Sequence, residues 1–147
     1  MFKVCLFSPV KGKVVHNGQP VAGAVIQRTY EWAWKNQKGG DETVTDPNGE
    51  FSLPAIHGTM ILGKVAPHEP YIDQLIMINY DGKMFQAWCT DKRNYDEFGE
   101  LSGLLNGGPI EILCDLNTEA KNHDFRLKGQ YGGMAELLNL QNSKRSS

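Results

Sequence analysis

Gly12-Lys-Val-Val-His-Asn-Gly18-Gln-Pro20-Val-Ala-Gly23-Ala-Val-Ile26, followed by Thr43-Val-Thr-Asp46-Pro-Asn-Gly49-Glu-Phe51-Ser-Leu53, decides the fold of this 147-residue chain. Two turn signals punctuate short β-favouring runs. Asn17-Gly18 is a two-residue hairpin turn, because both residues adopt positive φ at low cost. Asp46-Pro47-Asn48-Gly49 is a tight turn: Pro47 presets φ, Asn48 and Gly49 tolerate positive φ, and the Asp46 carboxylate accepts backbone N–H groups. Around these turns, Lys11–His16 reads as a strand and Pro20 as a strand-edge residue whose missing N–H is tolerated. In Glu50–Leu53, Phe51 and Leu53 fall on one face and Glu50 and Ser52 on the other.

The same pattern extends outward. Lys3–Phe7 alternates weakly before Pro9. Ala24–Trp34 reads as a long strand whose even positions include Tyr30, Trp32 and Trp34, so the three rings share a face. Lys35–Asp41, with Gly39-Gly40, reads as a flexible loop. Met60–Ala66 is an apolar run, and Pro67-His-Glu-Pro70 is a stiff extended connector. Ile72–Tyr80 is apolar on both faces at its middle, as a central strand would be. Asp81-Gly82 is a strong hairpin signal, returning through Lys83–Thr90 with Phe85, Ala87 and Cys89 on one face and Met84, Gln86 and Trp88 on the other. Asp91–Pro109 reads as a long polar loop, in which Asp96-Glu-Phe-Gly99 echoes the Asp46 turn and leads into a short strand. Ile110–Leu116 alternates cleanly, Asp124–Lys128 reads as a last strand, and Met134–Leu140 as a short docked helix. These elements predict an all-β, Greek-key antiparallel β-sandwich of seven to eight strands with a short C-terminal helix. Residues 1–141 form one domain and residues 142–147 a disordered tail.

Composition is that of an ordinary globular domain: hydrophobic residues make up 40% and charged residues 22%. The net charge of −2 gives no reason to expect a nucleic-acid partner. The charge is unevenly placed. Residues 1–40 hold six bases and one acid (+5), residues 41–119 four bases and fourteen acids (−10), and the remainder five bases and two acids (+3). The acidic middle suits a basic partner; it equally suits solvated loop carboxylates. The first ten residues hold too short an apolar run for a secretory core or a membrane span. A cytoplasmic location is therefore expected, or a periplasmic one if a signal is removed. Cys5, Cys89 and Cys114 lie in apolar runs and read as buried free thiols, with one disulfide plus a spare thiol as the alternative.

Gly12-Lys-Val14, Gly18-Gln-Pro20-Val-Ala-Gly23-Ala24 and Thr43-Val-Thr45-Asp46-Pro-Asn-Gly49-Glu-Phe51 together resemble the carboxypeptidase regulatory-like domain, a transthyretin-like sandwich. The resemblance covers the first third of the chain and implies architectural roles. Gly23 lets the chain swing into the next strand, and Asp46 with Gly49 closes a hairpin. The Tyr30-Glu-Trp-Ala-Trp34 and Pro67-His-Glu-Pro70 segments are similar to a small bacterial group of stand-alone proteins of uncharacterised function. By analogy with small β proteins that accompany secreted toxins, that likeness implies an immunity or accessory role.

The chain carries no local signature of catalysis. His57, His68, Glu69, Cys89, His123 and Asp124 are scattered, without the paired spacings of a zinc site. Asp91, Asp96 and Glu100 lack EF-hand order, so a loop calcium site and a solvated loop both remain open. No nucleophile elbow or phosphate loop occurs. Hydroxyisourate hydrolases share the transthyretin-like fold, but Tyr131-Gly-Gly-Met134 lacks the Arg and Ser of their C-terminal motif, and that activity is not expected. No metal, cofactor or enzymatic activity is expected. The remaining candidates are aromatic: Tyr30, Trp32 and Trp34 on one strand, with Trp88, Tyr95 and Phe98. Such rings anchor a protein partner or stack on sugars, and the parity that places Ala24 and Ile26 inward lets them equally be core. The leading expectation is a non-enzymatic protein-binding module whose surface is made by residues 35–41 and 91–109. A carbohydrate-binding module is the alternative. A hydrolase comes third and requires His57, His68 and an acid to converge in a cleft.

Overall fold

The computed structural model of the protein describes residues 2–61, 63–103, 105, 108–125 and 129–139. In chain order its strands are β1 (Phe2–Phe7), β2 (Val10–His16), β3 (Gln19–Pro20), β4 (Val25–Trp32), β5 (Gln37–Val44), β6 (Glu50–Leu53) and β7 (Ile56–Met60). They continue as β8 (Ile72–Tyr80), β9 (Lys83–Lys92), β10 (Ile110–Asp115), β11 (Lys121–Asp124), β12 (Gln130–Gly133) and β13 (Glu136–Leu137). Among the described residues the one helical element is a 3-10 turn, Glu100–Gly103, and no helix is long and apolar enough to cross a membrane.

The strands assemble as an all-β sandwich. The main sheet runs β11-β12-β9-β8-β4-β5, every pair antiparallel. The second runs β13-β10-β2-β3, with β6 also paired to β2. Their alternating apolar faces meet in one core containing Val10, Val14, Ile26, Ile76, Ile78, Trp88, Ile110 and Ile112. Each fully buried aliphatic side chain of this kind contributes about 1.5–3 kcal/mol. A separate ribbon, β1-β7, covers a smaller cluster of Val4, Leu6, Trp32, Met60 and Ile72. One pair departs from the antiparallel expectation: β2 and β10 run parallel, from Val10↔Ile110 to Val15↔Asp115. A parallel pair needs a long crossover, and here most of the main sheet lies in that connection.

Buried charges knit the layers. Arg28 is buried and donates bidentately to Asp41 on β5, at 2.9 and 2.7 Å, and to the carbonyls of Ser8 and Pro54. Buried Glu100 accepts from the Ser8 amide (2.9 Å), the Ser8 hydroxyl (2.6 Å) and the Gln74 amide (2.9 Å). Lys92 Nζ donates to the carbonyls of Cys5, Asn94 and Asp96 and to Asn94 Oδ1. Burial pulls this ammonium below its usual value while Glu100 opposes the shift.

Several expectations are corrected. The strand read as Ala24–Trp34 stops at Trp32, because residues 33–36 turn, with Asn36 at φ +50°. Residues 37–41 are not a flexible loop but the first five residues of β5. The Tyr30 ring lies over Gly39, Gln37 donates to the Tyr30 hydroxyl, and Asp41 pairs with Arg28, so cross-strand contacts replace the side chains the glycines lack. Of the apolar run Met60–Ala66, Met60 ends β7 and is buried, whereas Ile61 and Val65 are exposed. A bulge between Ile76 and Met77 takes up Ala87, so Ala87 and Trp88 are both buried and Cys89 faces outward, not into the core. All three thiols are free. Strand β9 runs on to Lys92, and the Gly99–Asp96 turn leads into the 3-10 turn rather than a strand. The last strand pair begins earlier than expected, at Lys121, and residues 126–128 lie outside the described residues. Where a helix is expected over Met134–Leu140, the described residues 134–139 form none: Met134 and Ala135 donate to the carbonyls of Gln86 and Ala87, and the Tyr131 hydroxyl accepts from Leu137 N, which holds this stretch extended. Leu140 and the expected disordered tail, residues 142–147, lie outside the described residues.

Candidate functional site

Three segments meet at one end of the main sheet: the β4–β5 turn, the connector 63–71 and the loop 93–99. The turn presents Trp34, whose indole lies flat on the His68 ring at 3.9 Å and 5°. Behind them runs a directed chain of hydrogen bonds. Trp32 Nε1 donates to the Tyr95 hydroxyl (3.0 Å), which donates to His68 Nε2 (2.6 Å), and His68 Nδ1 donates to the Ala66 carbonyl (2.9 Å). The carbonyl can only accept, so Nδ1 carries the proton of the neutral ring and Nε2 is left to accept. Burial raises the Tyr95 phenol above its usual value. The Trp32 ring meets Tyr95 edge-on at 5.9 Å, and Lys35 Nζ lies 5.5 Å from its centroid. Trp34 is 37% exposed on this fixed base, whereas Trp32 is 0% exposed.

The outer face of the main sheet carries a carboxylate row beside this tip. Lys38 on β5 pairs with Glu31 on β4, Glu31 with Asp73 on β8, and Asp73 with Asp91 on β9. Directly opposite residues on adjacent strands bring their side chains close, so like charges crowd here. Asp73 responds by hydrogen-bonding to Asp91, which with partial burial and the charges of Asp91 and Glu31 lifts its carboxyl to about 6. Asp91 also accepts from the Tyr71 hydroxyl at 3.1 Å, and Arg93 lies over the Tyr71 ring at 4.7 Å. Thr29, Glu31, Asp73, Leu75, Cys89 and Asp91 line an open groove of about 730 Å³. The bond from Ala33 N to the Tyr71 carbonyl (3.1 Å) ties the groove's end to the Trp34 turn.

The expected aromatic group is therefore split. Trp34 and Tyr95 come together at the tip. Trp32 supports them from the interior and is no surface anchor, because β4 parity turns it under the β1–β7 ribbon. Trp88 is likewise no anchor: it is 0% exposed, stacked on Tyr131 at 4.6 Å, with Nε1 bonded to Gln74 Oε1. Tyr30 is half-buried over Gly39, and Phe98 is half-buried at φ +58° with its amide bonded to the Ser8 hydroxyl. Of the anticipated turn residues, Asn48 does not take the positive φ that its type tolerates. Asn17, Gly18, Gly23, Gly49, Asp81 and Gly82 have positive φ, and Asp46 Oδ1 accepts from the amides of Asn48 and Glu50, each at 2.9 Å, across the Pro47 turn.

His68, named from the sequence only as a metal or hydrolase candidate, is missed there as the base of the Trp34 tip. Its flanking prolines signal a stiff segment, but nothing local says that the ring lands on Trp34. His57 has a different partner, Glu97 at 2.8 Å, so the two histidines do not share one acid. Asp91, Asp96 and Glu100 do not converge: Asp91 faces the groove, Glu100 is buried against Ser8, and Asp96 serves Lys92 through its carbonyl. Among the described residues no group of three or more His, Cys, Asp or Glu side chains could hold a metal ion.

The model of one family, a domain of unknown function (DUF6795), matches residues 10–119. No curated protein and no solved structure matches the chain. The family match spans most of the sequence, and the chain belongs to the DUF6795 family.

Proposed function

We propose that this DUF6795 family member is a non-enzymatic protein-binding module that holds a basic partner segment against the Trp34 tip and the adjoining carboxylate row. The observation that carries the reading is the exposed Trp34 ring, seated on His68 and backed by Tyr95 and Trp32. A rigid, preorganised aromatic side chain loses little entropy on binding and is the residue type that dominates interface energies. Glu31, Asp73 and Asp91 beside it supply charge of one sign, which steers a cationic partner and sets its register. The most concrete form is an immunity or accessory protein in bacterial antagonism. Kinship with transthyretin-like carboxypeptidase regulatory domains belongs to the same proposal; its support is the Asn17-Gly18 and Asp46–Gly49 turn geometry.

A carbohydrate platform loses its main support once Trp32 and Trp88 are interior, because one indole with His68 against one face offers no ladder of rings. A hydrolase reading asks for His57, His68 and an acid in one cleft, and here His57 pairs with Glu97 while His68 is engaged by Tyr95.

Co-expression with the products of neighbouring genes tests the reading. The wild-type protein is expected to co-purify with one of them. Trp34→Ala should weaken that complex by about tenfold or more, as loss of an anchor does, and Asp73→Lys should weaken it most at low salt. A wild-type chain that stays alone beside every neighbouring product, or a complex indifferent to Trp34→Ala, would sink the proposal.

A further inference from the structure

Strand β5 is the outermost strand of the main sheet, at the end opposite β11. Its eight residues pair with β4 along their full length, from Val44↔Val25 to Gln37↔Trp32. No other strand pairs with its outer side among the described residues. An edge of this length is an open template for another strand unless charges, proline or a bulge blunt it. β5 has no proline and its register with β4 is unbroken. It does carry charges, and their arrangement is informative. Lys38, Gly40 and Glu42 alternate with Gln37, Gly39, Asp41 and Thr43, so Lys38 and Glu42 share the outer face with Gly40 between them. Asp41, on the other face, is engaged by Arg28, whereas neither Lys38 nor Glu42 makes an ion pair among the described residues.

We infer that β5 pairs antiparallel with β5 of a second copy of this chain, about a twofold axis at Gly40, joining the two main sheets edge to edge. A twofold axis perpendicular to a sheet keeps each face continuous, so residues of like parity must stand opposite one another. Centring it on Gly40 sets Lys38 opposite Glu42 of the copy, and Glu42 opposite Lys38, giving two cross-strand ion pairs. Gln37 then faces Thr43, and the axis passes through a residue with no side chain. Moving the axis to Asp41 sets that carboxylate against its own copy. Moving it to Lys38 or Glu42 opposes two like charges, and moving it to Gly39 leaves Lys38 facing Gly40. Among these registers, the Gly40 axis alone makes opposite charges meet, which is the arrangement that stabilises cross-strand pairs. The same charges repel like-charged strands and would lose water against an apolar one, so the edge is protected against indiscriminate pairing while remaining complementary to itself.

Charge reversal tests both the pairing and its register. Sedimentation or light scattering across a concentration series should show a wild-type dimer that weakens with salt. Lys38→Glu replaces both pairs by Glu–Glu, and Glu42→Lys replaces both by Lys–Lys. Each variant should therefore dimerise about tenfold or more weakly. Mixed together, the two single variants restore opposite charges at both contacts and should form a heterodimer, and K38E/E42K should dimerise alone. Both side chains are exposed, so the circular dichroism of every variant should match the wild type. Glu42→Lys, opposite Gln27, should also keep the wild-type thermal unfolding, whereas variants carrying Lys38→Glu set a carboxylate opposite Glu31 and should unfold at a slightly lower temperature; Glu42→Lys is therefore the variant that separates lost pairing from lost stability. A wild-type monomer at every concentration overturns the inference, as does a dimer unchanged by the single reversals. Failure of the mixed variants to pair overturns the Gly40 register.

Discussion

Asp73 stands between Glu31 and Asp91, with Arg93 the nearby cation that partly offsets them. Its carboxyl is raised to about 6, first by the hydrogen bond to Asp91 and then by burial and the neighbouring carboxylates. The folded state therefore holds this proton more tightly than the unfolded chain does. Stability is accordingly greatest while Asp73 is protonated, and is lost as pH rises from the ordinary carboxylate range through about 6. Asp73→Asn keeps the hydrogen-bonding shape and removes the repulsion. It should raise unfolding free energy at neutral pH and do nothing below about pH 3.5, where the wild-type group is already protonated. Water screens this exposed site, so the gain should be at most about 1 kcal/mol. Denaturant titrations of both proteins at the two pH values decide it; a gain of equal size in acid would show that repulsion is not the cause.

At the scale of elements, the loop after β9 owes its order to buried polar groups rather than to apolar packing. Lys92 gathers the Asn94 and Asp96 carbonyls together with that of Cys5 on β1, and Glu100 fastens the far side of the loop to Ser8. Lys92→Met keeps a long side chain but orphans those carbonyls, a change expected to cost about 2–4 kcal/mol. Hydrogen exchange should quicken in residues 93–99 well before it does in β4 and β8; unchanged exchange in the loop would count against the staple. Such features explain which elements could be read from sequence. Asn17-Gly18, Asp46–Gly49 and Asp81-Gly82 are legible because a turn is decided by its own few residues. β5 is hidden because Gly39 and Gly40 look like a loop until Tyr30 is seen across from Gly39 and Arg28 across from Asp41. The Ala87 bulge was hidden for the same reason. It depends on how β8 stands against β9, and one unforeseen residue reverses the faces of everything beyond it, turning Cys89 out and Trp88 in. The tip suffered most: Trp34 and Tyr95 were recognisable as aromatic candidates, but their base, His68, arrives from a segment whose path no local pattern sets.

For the whole molecule, local alternation was enough to indicate an all-β sandwich, but not which strands close it. β2 pairs with β10 in parallel, and β6 pairs with the same β2 from its other side, so three distant stretches meet at Gly12. Gly12 faces Phe51 on β6 and Ile112 on β10 in register. A methyl group at Gly12 would come within 2.4 Å of the Phe51 ring and 3.0 Å of Ile112 Cγ1. The glycine of the opening Gly-x-Val run is thus a packing requirement: the ring of Phe51, itself part of the second half of that sequence pattern, occupies the space its side chain would take. Gly12→Ala should cost about 1–3 kcal/mol through overpacking. Phe51→Leu alone should also destabilise, by leaving a void. Together they should relieve one another, because the smaller side chain makes room for the methyl group. A double-mutant cycle is expected to show a favourable coupling of at least about 0.5 kcal/mol. Strict additivity would mean that the Phe51 ring does not set the limit at Gly12, and that the closure of the sandwich across β2, β6 and β10 tolerates a methyl group by some other movement.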